Sequence, residues 1–298
     1  MTVPVLHCAD PLAPRRPDPH FAAEAAASRA CGARVALIDH DALLAGDAER
    51  AVARVPAGFG AAWYRGWMIP ADRYAALDAA LAERGAALLV GPEAYRAAHE
   101  LPGWYAAFEG LTPPGVWLPS APGEVPSAGA LAALAAGLPP GPGIVKDYVK
   151  SRKHEWDEAC YLPDLRDTPG VLRVVRRFVE LQDDFLAGGV VLRAFESFTR
   201  PDGAAHEVRV WWLDGEPVLV TPHPDSPVEA VRAPALDAVR TAVRALGPRW
   251  VTTDLALRAD GAWRVVEVGD GQVSDLHPSV APESMAAVLA GAPPTVQT

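Results

Sequence analysis

The second half of the chain contains the stretch Asp254-Leu-Ala-Leu-Arg-Ala-Asp260-Gly261-Ala-Trp-Arg-Val-Val-Glu267. An Asp-Gly pair between two apolar runs is a strong signal for a β-hairpin with a two-residue type I′ turn. If Asp260 and Gly261 form that turn, counting along the ladder places Asp254 directly opposite Glu267. A three-residue turn would shift the register by one and remove this pairing.

Two carboxylates that face each other across a hairpin need a counter-ion. Their Cβ atoms would lie about 5 Å apart, where like charges destabilise the pair. A bridging Mg²⁺ removes the conflict, because this cation prefers oxygen ligands and is often held by carboxylates together with substrate phosphates. We therefore expect Asp254, Glu267 and Asp270 to be metal ligands. In the structural alternative Asp254 caps a turn and Asp270 lies in the glycine-rich loop around Gly269 and Gly271, two glycines that would let the backbone approach a ligand.

The length and composition of the chain restrict its class. The chain has 298 residues, enough for two hydrophobic cores, and 50% of them are apolar, as in ordinary globular proteins. The formal net charge of −10 argues against broad nucleic-acid binding, which needs a basic face. Cys8, Cys31 and Cys160 form no C-x-x-C motif, so we expect neither disulfides nor zinc, and a reducing cytoplasmic location. We expect no secretory signal and no membrane span.

Hydrophobic periodicity divides the chain into three regions. Residues 1–91 indicate an α/β domain, with apolar runs at 3–7, 33–38, 61–68 and 86–90 and helices at 21–30 and 71–84. Residues 92–143 are predicted to be a connecting region rich in Pro and Gly, with one helix at 128–136. Residues 144–298 indicate an α+β region, with strands at 144–150 and 190–198, a hairpin around Asp214-Gly215, and helices at 168–187, 233–245 and 285–289. The tail from Gly291 is predicted to fray.

A basic segment occupies the first predicted strand of the third region and the residues after it. Lys146 lies in an apolar run, where a lysine is unexpected unless it meets an anion, and on a strand it shares one face with Tyr148 and Lys150. Phosphate is the natural partner of such a segment in an acidic protein. The structural alternative is an edge strand protected by lysines. The basic residues are Lys146, Lys150, Arg152, Lys153 and His154.

Charged residues also interrupt three other apolar stretches. Arg193 lies inside a predicted strand, and Glu207 shares a face of the next strand with Arg209. Since buried charges need partners, these residues either pair with one another or the arginines face a phosphoryl group or an acyl phosphate. Arg65, in Tyr64-Arg-Gly-Trp-Met68, is a candidate for substrate recognition, and packing beside two tryptophans is its structural alternative.

The order of these features resembles the ATP-grasp fold. A lysine strand, a helix, a hinge strand, a Glu-x-Arg strand and a final Asp…Glu hairpin follow an α/β N-terminal domain. No phosphate-binding loop, dinucleotide fingerprint, nucleophile elbow or zincin motif competes with this interpretation. The resemblance covers most of the chain and is strongest to an actinobacterial clade with two arginines and a lysine in the nucleotide site. It rests on Tyr64-Arg-Gly-Trp-Met68, Val145-Lys-Asp-Tyr-Val-Lys-Ser-Arg-Lys-His154 and Glu267-Val-Gly-Asp-Gly-Gln-Val-Ser274.

The resemblance implies an α/β N-terminal domain followed by α+β ATP-grasp domains, with the nucleotide between two α+β subdomains. It implies ATP and Mg²⁺ as cofactors and Asp254 and Glu267 as the acidic metal ligands. The nucleotide-binding candidates are Lys146, Lys150, Lys153, the hinge Ala194, Phe195 and Glu196, and Glu207. The sequence departs from the common pattern in three places: Gly269 replaces a metal-binding Asn, Arg193 replaces an acidic ribose-binding residue, and residues 150–154 replace a lid of small residues.

We therefore expect an ADP-forming ligase that joins a small-molecule carboxylate to an amine or thiol through an acyl phosphate. Arg193, Arg209 and Lys150 are the candidates for stabilising the transferred phosphoryl group, and Arg65 and His154 are the substrate-side candidates. We expect no membrane partner and no nucleic-acid partner, and homodimer formation stays open. The alternatives are a kinase that phosphorylates a small molecule or a nucleic-acid end without ligation, and a non-catalytic nucleotide-binding module.

Overall fold

The computed structural model describes residues 2–198, 206–226 and 233–297. The chain divides into two compact units, and each of them is assembled from segments that are distant in sequence. The composite unit comprises Met1–Ala98, Glu207–Leu255 and Val268–Thr298, and the central unit comprises His99–His206 and Ala256–Glu267. Among the described helices, none combines the length and the apolar character needed to cross a lipid bilayer.

The composite unit is built around a mostly parallel sheet. Its strand β1 (Val5–Asp10) pairs in parallel with β3 (Val35–Ile38) and β4 (Gly60–Arg65) and antiparallel with β2 (Ala13–Pro17), and β4 pairs in parallel with β5 (Ala86–Leu88). β1 and β4 are largely buried, as parallel strands are, which explains their apolar runs. The sequence analysis missed β2, because two prolines and two arginines conceal it.

The helices of the composite unit come from the first and the last parts of its sequence. They are α1 (Ala22–Ala30), α2 (His40–Leu44), α3 (Ala48–Ala51), α4 (Ala71–Ala82), α5 (Pro92–His99, which ends in the central unit), α10 (Asp237–Leu246) and α11 (Pro282–Gly291). α1 packs against α11. Gln297 forms a parallel bridge with Val90 and its backbone N donates to the carbonyl of Leu89 at 3.1 Å. The prediction that the tail frays is therefore wrong at Gln297.

The central unit contains an antiparallel sheet with the order β6-β9-β7-β8. The strands are β6 (Gly115–Pro119), β7 (Gly143–Lys146), β8 (Tyr161–Leu162) and β9 (Gly189–Ala194), and the helices are α6 (Leu101–Trp104), α7 (Ala128–Ala136), α8 (Trp156–Ala159) and α9 (Thr168–Gln182). α9 packs against α7 and buries Val171, Val174, Val175 and Phe178. β6 lies in the predicted connecting region, so that region belongs to the sheet of this unit.

The helix predicted at 168–187 is shorter than expected. Asp167 caps its start, since the Asp167 carboxylate accepts from the Gly170 backbone N at 3.2 Å. The helix ends at Gln182, because Asp183 adopts a φ of +47°. Phe185 therefore lies outside the helix and is 83% exposed.

The last sheet has the order β11-β10-β12-β13, with β10 (Glu207–Leu213), β11 (Glu216–Pro222), β12 (Trp250–Leu257) and β13 (Trp263–Asp270). Asp214 and Gly215 form a two-residue turn with φ values of +50° and +79°, as a type I′ turn requires. At the second Asp-Gly pair the turn is different. Arg258 N donates to the Ala262 carbonyl at 2.9 Å, and Gly261 N donates to the Arg258 carbonyl at 2.9 Å.

These two bonds define a three-residue loop at the second hairpin. Gly261 adopts a φ of +86°, whereas Asp260 is not among the described residues with positive φ. The predicted two-residue turn at Asp260-Gly261 is therefore wrong, and counting from this turn does not place Asp254 opposite Glu267.

The backbone after β13 requires a glycine for packing. A Cβ atom on Gly271 would lie 1.3 Å from Cδ1 of Trp250, a buried side chain. We expect Gly271→Ala to lower the free energy of unfolding by about 2 kcal/mol or more, because the indole must move within a packed core. Urea unfolding measures this change.

A matched control is Gly129→Ala in α7, where a Cβ would meet nothing within 4 Å. Alanine is the better helix former, so this variant should gain about 0.5–1 kcal/mol. Equal stability of the two variants would contradict the packing role of Gly271.

Candidate functional site

Lys146 is a buried cation in the central unit. It ends β7 and is 5% exposed, and its Nζ donates to the Val149 carbonyl at 3.2 Å. Glu267 Oε1 lies 3.9 Å from the same Nζ. Burial lowers the pKa of the Lys146 ammonium, and the charge of Glu267 opposes this effect. An ammonium desolvated in this way attracts an additional anion strongly.

Asp147 organises the turn that follows Lys146. Its Oδ1 accepts from Val149 N at 2.7 Å and from Lys150 N at 2.5 Å, and its Oδ2 accepts from Gln182 Nε2 at 2.6 Å. The strand predicted at 144–150 therefore ends at Lys146, and the prediction that Tyr148 and Lys150 share a strand face with it is wrong. Sequence reasoning missed Asp147, although an acidic residue within a basic segment is a signal for such a turn.

Three other basic residues of this segment, Lys150, Lys153 and His154, have exposed side chains, whereas Arg152 is half-buried and pairs with Glu155. Lys150 follows the turn, and Lys153 and His154 lie in a 3-10 helix at Lys153–Glu155. His99 is a buried residue that the sequence analysis missed. Burial lowers the pKa of the His99 imidazole to about 4, with a further contribution from the charges of Lys150 and Lys146. At neutral pH this imidazole is uncharged, so it adds no positive charge to the segment.

Arg193 is buried in the central unit, where its contacts are with protein groups. Its Nη1 donates to the Val266 carbonyl at 2.6 Å, its Nη2 donates to Thr112 Oγ1, and its guanidinium lies over the Trp104 ring. Burial lowers the pKa of Arg193 to about 10. These partners favour the structural alternative for Arg193 over a contact with a phosphoryl group.

The predicted hinge is engaged within the protein. Ala194 N donates to the Pro114 carbonyl at 2.8 Å and Phe195 N donates to the Pro142 carbonyl at 3.0 Å. Glu196 accepts from Arg264 Nε at 3.0 Å. The hinge N–H groups of Ala194 and Phe195 therefore already have backbone partners.

An aromatic cluster adjoins the hinge. Trp156 stacks on Tyr161 with ring centroids 5.3 Å apart, and Phe195 meets both rings edge-on at 5.8 and 5.4 Å. Trp156 is 37% exposed. Sequence reasoning missed this cluster, because Trp156 and Tyr161 are distant from Phe195 along the chain.

The composite unit contains a second charged group, centred on Asp254 of β12. Arg209 of β10 donates from Nε to Asp254 Oδ1 and from Nη2 to Asp254 Oδ2, both at 2.8 Å. Arg209 Nη1 also donates to the Asp275 carbonyl at 3.0 Å. His223, just after β11, has its Nε2 3.4 Å from Asp254 Oδ2. The structure thus gives Arg209 an ionic partner in Asp254.

The protonation states of this group follow from its contacts. Burial raises the pKa of the Asp254 carboxyl, but the charge and hydrogen bonds of Arg209 outweigh it and hold that pKa well below its usual value. Burial lowers the pKa of the His223 imidazole, but the hydrogen bond to Asp254 and its charge outweigh burial and raise it. Asp254 is therefore ionised throughout the neutral range.

Asp254, Glu207 and His223 form the group of potential metal ligands that the described residues provide. One ligand atom from each lies within 4.8 Å of the other two. Glu267 belongs to the central unit and Asp254 to the composite unit. Their joint use as metal ligands therefore rests on the family pattern.

Asp270 lies in the interior of the composite unit. Its side chain is fully buried, Oδ1 accepts from Gln272 N at 2.8 Å, and Oδ2 has no hydrogen-bond partner among the described residues. Burial raises the pKa of the Asp270 carboxyl to about 7. This environment favours the structural alternative for Asp270 over metal ligation.

Arg65 is also fully satisfied within the composite unit. Its guanidinium donates to both oxygens of Glu24 at 2.9 and 2.8 Å and to the carbonyls of Gly271 and Ser274, both at 2.8 Å. It is 1% exposed and lies over the Trp211 ring. These contacts favour the structural alternative for Arg65 over substrate recognition.

Comparison with protein families matches residues 134–289 to the ATP-grasp domain, R-2-K clade, family 3. The chain belongs to this ATP-grasp family. The match covers more than half of the sequence and includes Lys146, the hinge, Asp254 and Glu267. ATP-grasp enzymes use ATP with Mg²⁺, and the carboxylates of Asp254 and Glu267 are donors of the type that Mg²⁺ prefers.

Solved structures confirm the expected fold. The D-cycloserine synthetase DcsG is 19% identical, with a TM-score of 0.58 over 96% of this chain and 99% of that one. The ATP-grasp ligase PsnB, complexed with minimal precursor, Mg and ADP, is 15% identical, with a TM-score of 0.55 over 96% of each chain. A RimK domain ATP-grasp protein from Sphaerobacter thermophilus is 15% identical, with a TM-score of 0.57 over 96% of this chain and 99% of that one. The comparison with curated proteins gave no match.

The buried carboxyl of Asp270 gives a pH-dependent prediction. Its pKa is raised to about 7 in the folded state, so the unfolded chain loses this proton first and stability falls as the pH rises from about 4 to 7. Asp270→Asn removes the ionisable group and should flatten this dependence, which is worth roughly 4 kcal/mol at most. Urea unfolding at several pH values measures the slope, and the same slope in the variant and the parent would contradict the assignment.

Proposed function

We propose that the protein is an ADP-forming ligase that joins a carboxylate to an amine or a thiol through an acyl phosphate. Membership of the ATP-grasp family supports ATP-dependent ligation in general. The similar structures of PsnB and DcsG are described as a ligase and a synthetase. The observation that carries the proposal is the buried Lys146 ammonium beside the partly exposed Glu267 carboxylate, a pair suited to a phosphate chain and its metal.

The central unit supplies the nucleotide-binding residues in this proposal. Lys146 holds a phosphate oxygen from its buried position, and Lys150 and Lys153 add exposed positive charge. The face of Trp156 offers a stacking surface for adenine, since a base and an aromatic ring stack without sequence-specific contacts. Ala194 and Phe195 hold the hinge strand beside this surface.

The metal proposal keeps Asp254 and Glu267 as ligands. When bound, Mg²⁺ neutralises the negative charge that develops on the phosphates during transfer. Glu267 is partly exposed and can offer an oxygen directly, whereas the ionised Asp254 would exchange its hydrogen bonds to Arg209 for the ion. Asp270 is not needed in this proposal, because its carboxyl is buried among protein groups.

Arg209 is the group best suited to the carboxylate substrate. Its planar fork already binds one carboxylate in the bidentate manner, and the same geometry fits a substrate carboxylate or an acyl phosphate. The Asp275 carbonyl fixes the third nitrogen of the fork. Arg209 would therefore orient the acceptor oxygen and stabilise the charge on the acyl phosphate, which the amine or thiol then attacks.

A kinase-type reaction is the second candidate function. The exposed basic residues Lys150, Lys153 and His154 fit a phosphorylated substrate as well as a nucleotide. The replacement of the metal-binding Asn by Gly269 also leaves a non-catalytic nucleotide-binding module as an alternative. Product analysis separates the three possibilities.

The first functional prediction concerns Glu267. We expect Glu267→Gln to lower the rate of ATP turnover by at least about a hundredfold, because the neutral amide removes a metal ligand. In the parent, ATP should raise the melting temperature in a Mg²⁺-dependent manner, and the variant should lose this shift. Coupled ADP assays and thermal shift measure the two effects.

The matched control is Glu283→Gln, which changes an exposed glutamate in the first turn of α11. It should retain both turnover and the thermal shift. Near-normal turnover in Glu267→Gln would exclude Glu267 as a metal ligand.

The second functional prediction concerns the products. A ligase should release ADP and phosphate in equal amounts, and only when both the carboxylate and the amine or thiol are present. Hydroxylamine should trap the acyl phosphate as a hydroxamate in place of the natural acceptor. A stable phosphorylated product that accumulates without a second substrate would favour the kinase, and ATP binding without ADP release would favour the non-catalytic module.

A further inference from the structure

The carboxyl ends of β1 and β4 form a topological switch point in the composite unit. β3 and β4 both pair in parallel with β1, so they lie on opposite sides of it. The chain therefore leaves β1 toward one side of the sheet and returns on the other. In open α/β sheets, ligands bind at such a switch point, beyond the carboxyl ends of the strands. The nucleotide-binding residues proposed above belong to the central unit, so this position is left for another ligand.

Three aromatic rings meet beside this switch point. Trp67 follows β4, and His20 and Phe21 follow β2, which pairs with the end of β1. The ring centroids of His20 and Trp67 lie 4.6 Å apart, and Phe21 meets these two rings edge-on at 4.7 and 5.1 Å. Phe21 is buried, whereas Trp67 is 38% exposed and the His20 side chain is 45% exposed. A buried ring thus supports two rings that solvent can reach.

Two carboxylates lie at the edges of these rings. Asp18 Oδ1 accepts from His20 N at 2.8 Å and Asp18 Oδ2 accepts from Trp67 Nε1 at 3.0 Å. Asp275 Oδ1 lies 2.9 Å from His20 Nε2, and the Asp275 side chain is 44% exposed. Because an ionised carboxylate offers about four lone-pair sites, both groups can accept further hydrogen bonds.

This combination of groups is suited to an organic cation. The faces of aromatic rings attract ammonium and guanidinium groups, and carboxylates accept hydrogen bonds from the N–H groups of these cations. An anion would be repelled by Asp18 and Asp275. A hydrated metal ion would use the carboxylates but would gain nothing from the exposed rings.

Asp275 connects these rings to the residues of the proposed ligase reaction. Its backbone carbonyl accepts from Arg209 Nη1 at 3.0 Å, and Arg209 is the proposed contact of the substrate carboxylate. These residues all belong to the composite unit. A molecule held by the Asp275 side chain therefore lies near the position proposed for the acyl phosphate. Contacts to a group remote from the reacting atoms orient an acceptor for attack.

We propose that Asp18, His20, Trp67 and Asp275 bind a cationic group, an ammonium or a guanidinium, that the amine acceptor carries in addition to its reacting nitrogen. The acceptor is then a diamine or an amine with a guanidinium group. Its uncharged nitrogen forms the bond to the acyl carbon, phosphate leaves with the electron pair of the C–O bond, and one proton passes to solvent. This substrate class rests on the proposed ligase function, whereas binding of the cation needs no ATP.

Calorimetric titration of the full chain with 1,4-diaminobutane, without nucleotide and in a buffer free of amines, tests the site. We expect saturable binding of one diamine per chain. The uncharged isostere 1,4-butanediol should give no binding, because it lacks the charge that the rings and carboxylates recognise.

Two variants test the residue assignment. Asp275→Asn keeps the shape of the side chain and the carbonyl that Arg209 contacts, and it should raise the Kd of the diamine by about tenfold. Trp67→Leu removes the exposed ring and should raise the Kd by about fivefold. In ligation assays both variants should raise the KM for the amine and should retain the Mg²⁺-dependent thermal shift with ATP.

The matched control is Asp72→Asn, which makes the same change at an exposed aspartate of α4 and should leave the Kd of the diamine unchanged. Glu267→Gln should also bind the diamine as the parent does, so a failure of the ligase proposal and a failure of this one are distinguishable. Circular dichroism of each variant checks that the fold is retained.

Three results would overturn the proposal. The first is the absence of binding at tens of millimolar diamine, and the second is equal binding of 1,4-butanediol. The third is an unchanged Kd of the diamine in folded Asp275→Asn and Trp67→Leu, which would place the bound cation elsewhere on this acidic protein.

Discussion

A single buried guanidinium joins the first and last segments of the composite unit. Arg65, at the end of β4, binds Glu24 of α1 and the carbonyls of Gly271 and Ser274. Removing one partner of a buried charge costs several kcal/mol, so this contact strongly restrains the segment after β13. The next residue, Asp275, offers its carbonyl to Arg209. The contacts of Arg65 therefore help to hold Arg209 in its orientation toward Asp254.

The buried charged candidates for ligand binding, Lys146 and Asp254, already have partners within the protein. Lys146 has Glu267 and the Val149 carbonyl, and Asp254 has Arg209. Binding a nucleotide or an ion is then an exchange of partners, and the affinity is the difference between two sets of strong interactions. A site of this kind tolerates burial of its charges in the absence of ligand. It also makes affinity sensitive to residues that never touch the ligand.

Sequence signals predicted correctly the secondary structure elements whose bounds are set by caps and turns. The helix at 128–136 has the predicted bounds, because Ser127 caps its start and Gly137 follows its end. The two Asp-Gly pairs show the limit of such signals. Asp214 accepts a positive φ and gives the predicted turn, whereas the pair at 260–261 uses the glycine alone in a longer loop. The same dipeptide fits both turns, so the flanking strands decide between them.

The sequence predicted which residues belong to the candidate site, but it did not predict which side chains they pair with. Family resemblance selected Lys146, Asp254 and Glu267. No local pattern reveals that Arg209 pairs with Asp254 or that Arg65 is buried against Glu24.

The order of the segments also sets the timing of folding. Trp63 packs on Trp250, which leaves the ribosome 187 residues later, after roughly 10–40 s at typical rates of synthesis. During that interval the nascent first sheet exposes an apolar face, so slow translation or a shortage of chaperones should reduce the yield of folded protein.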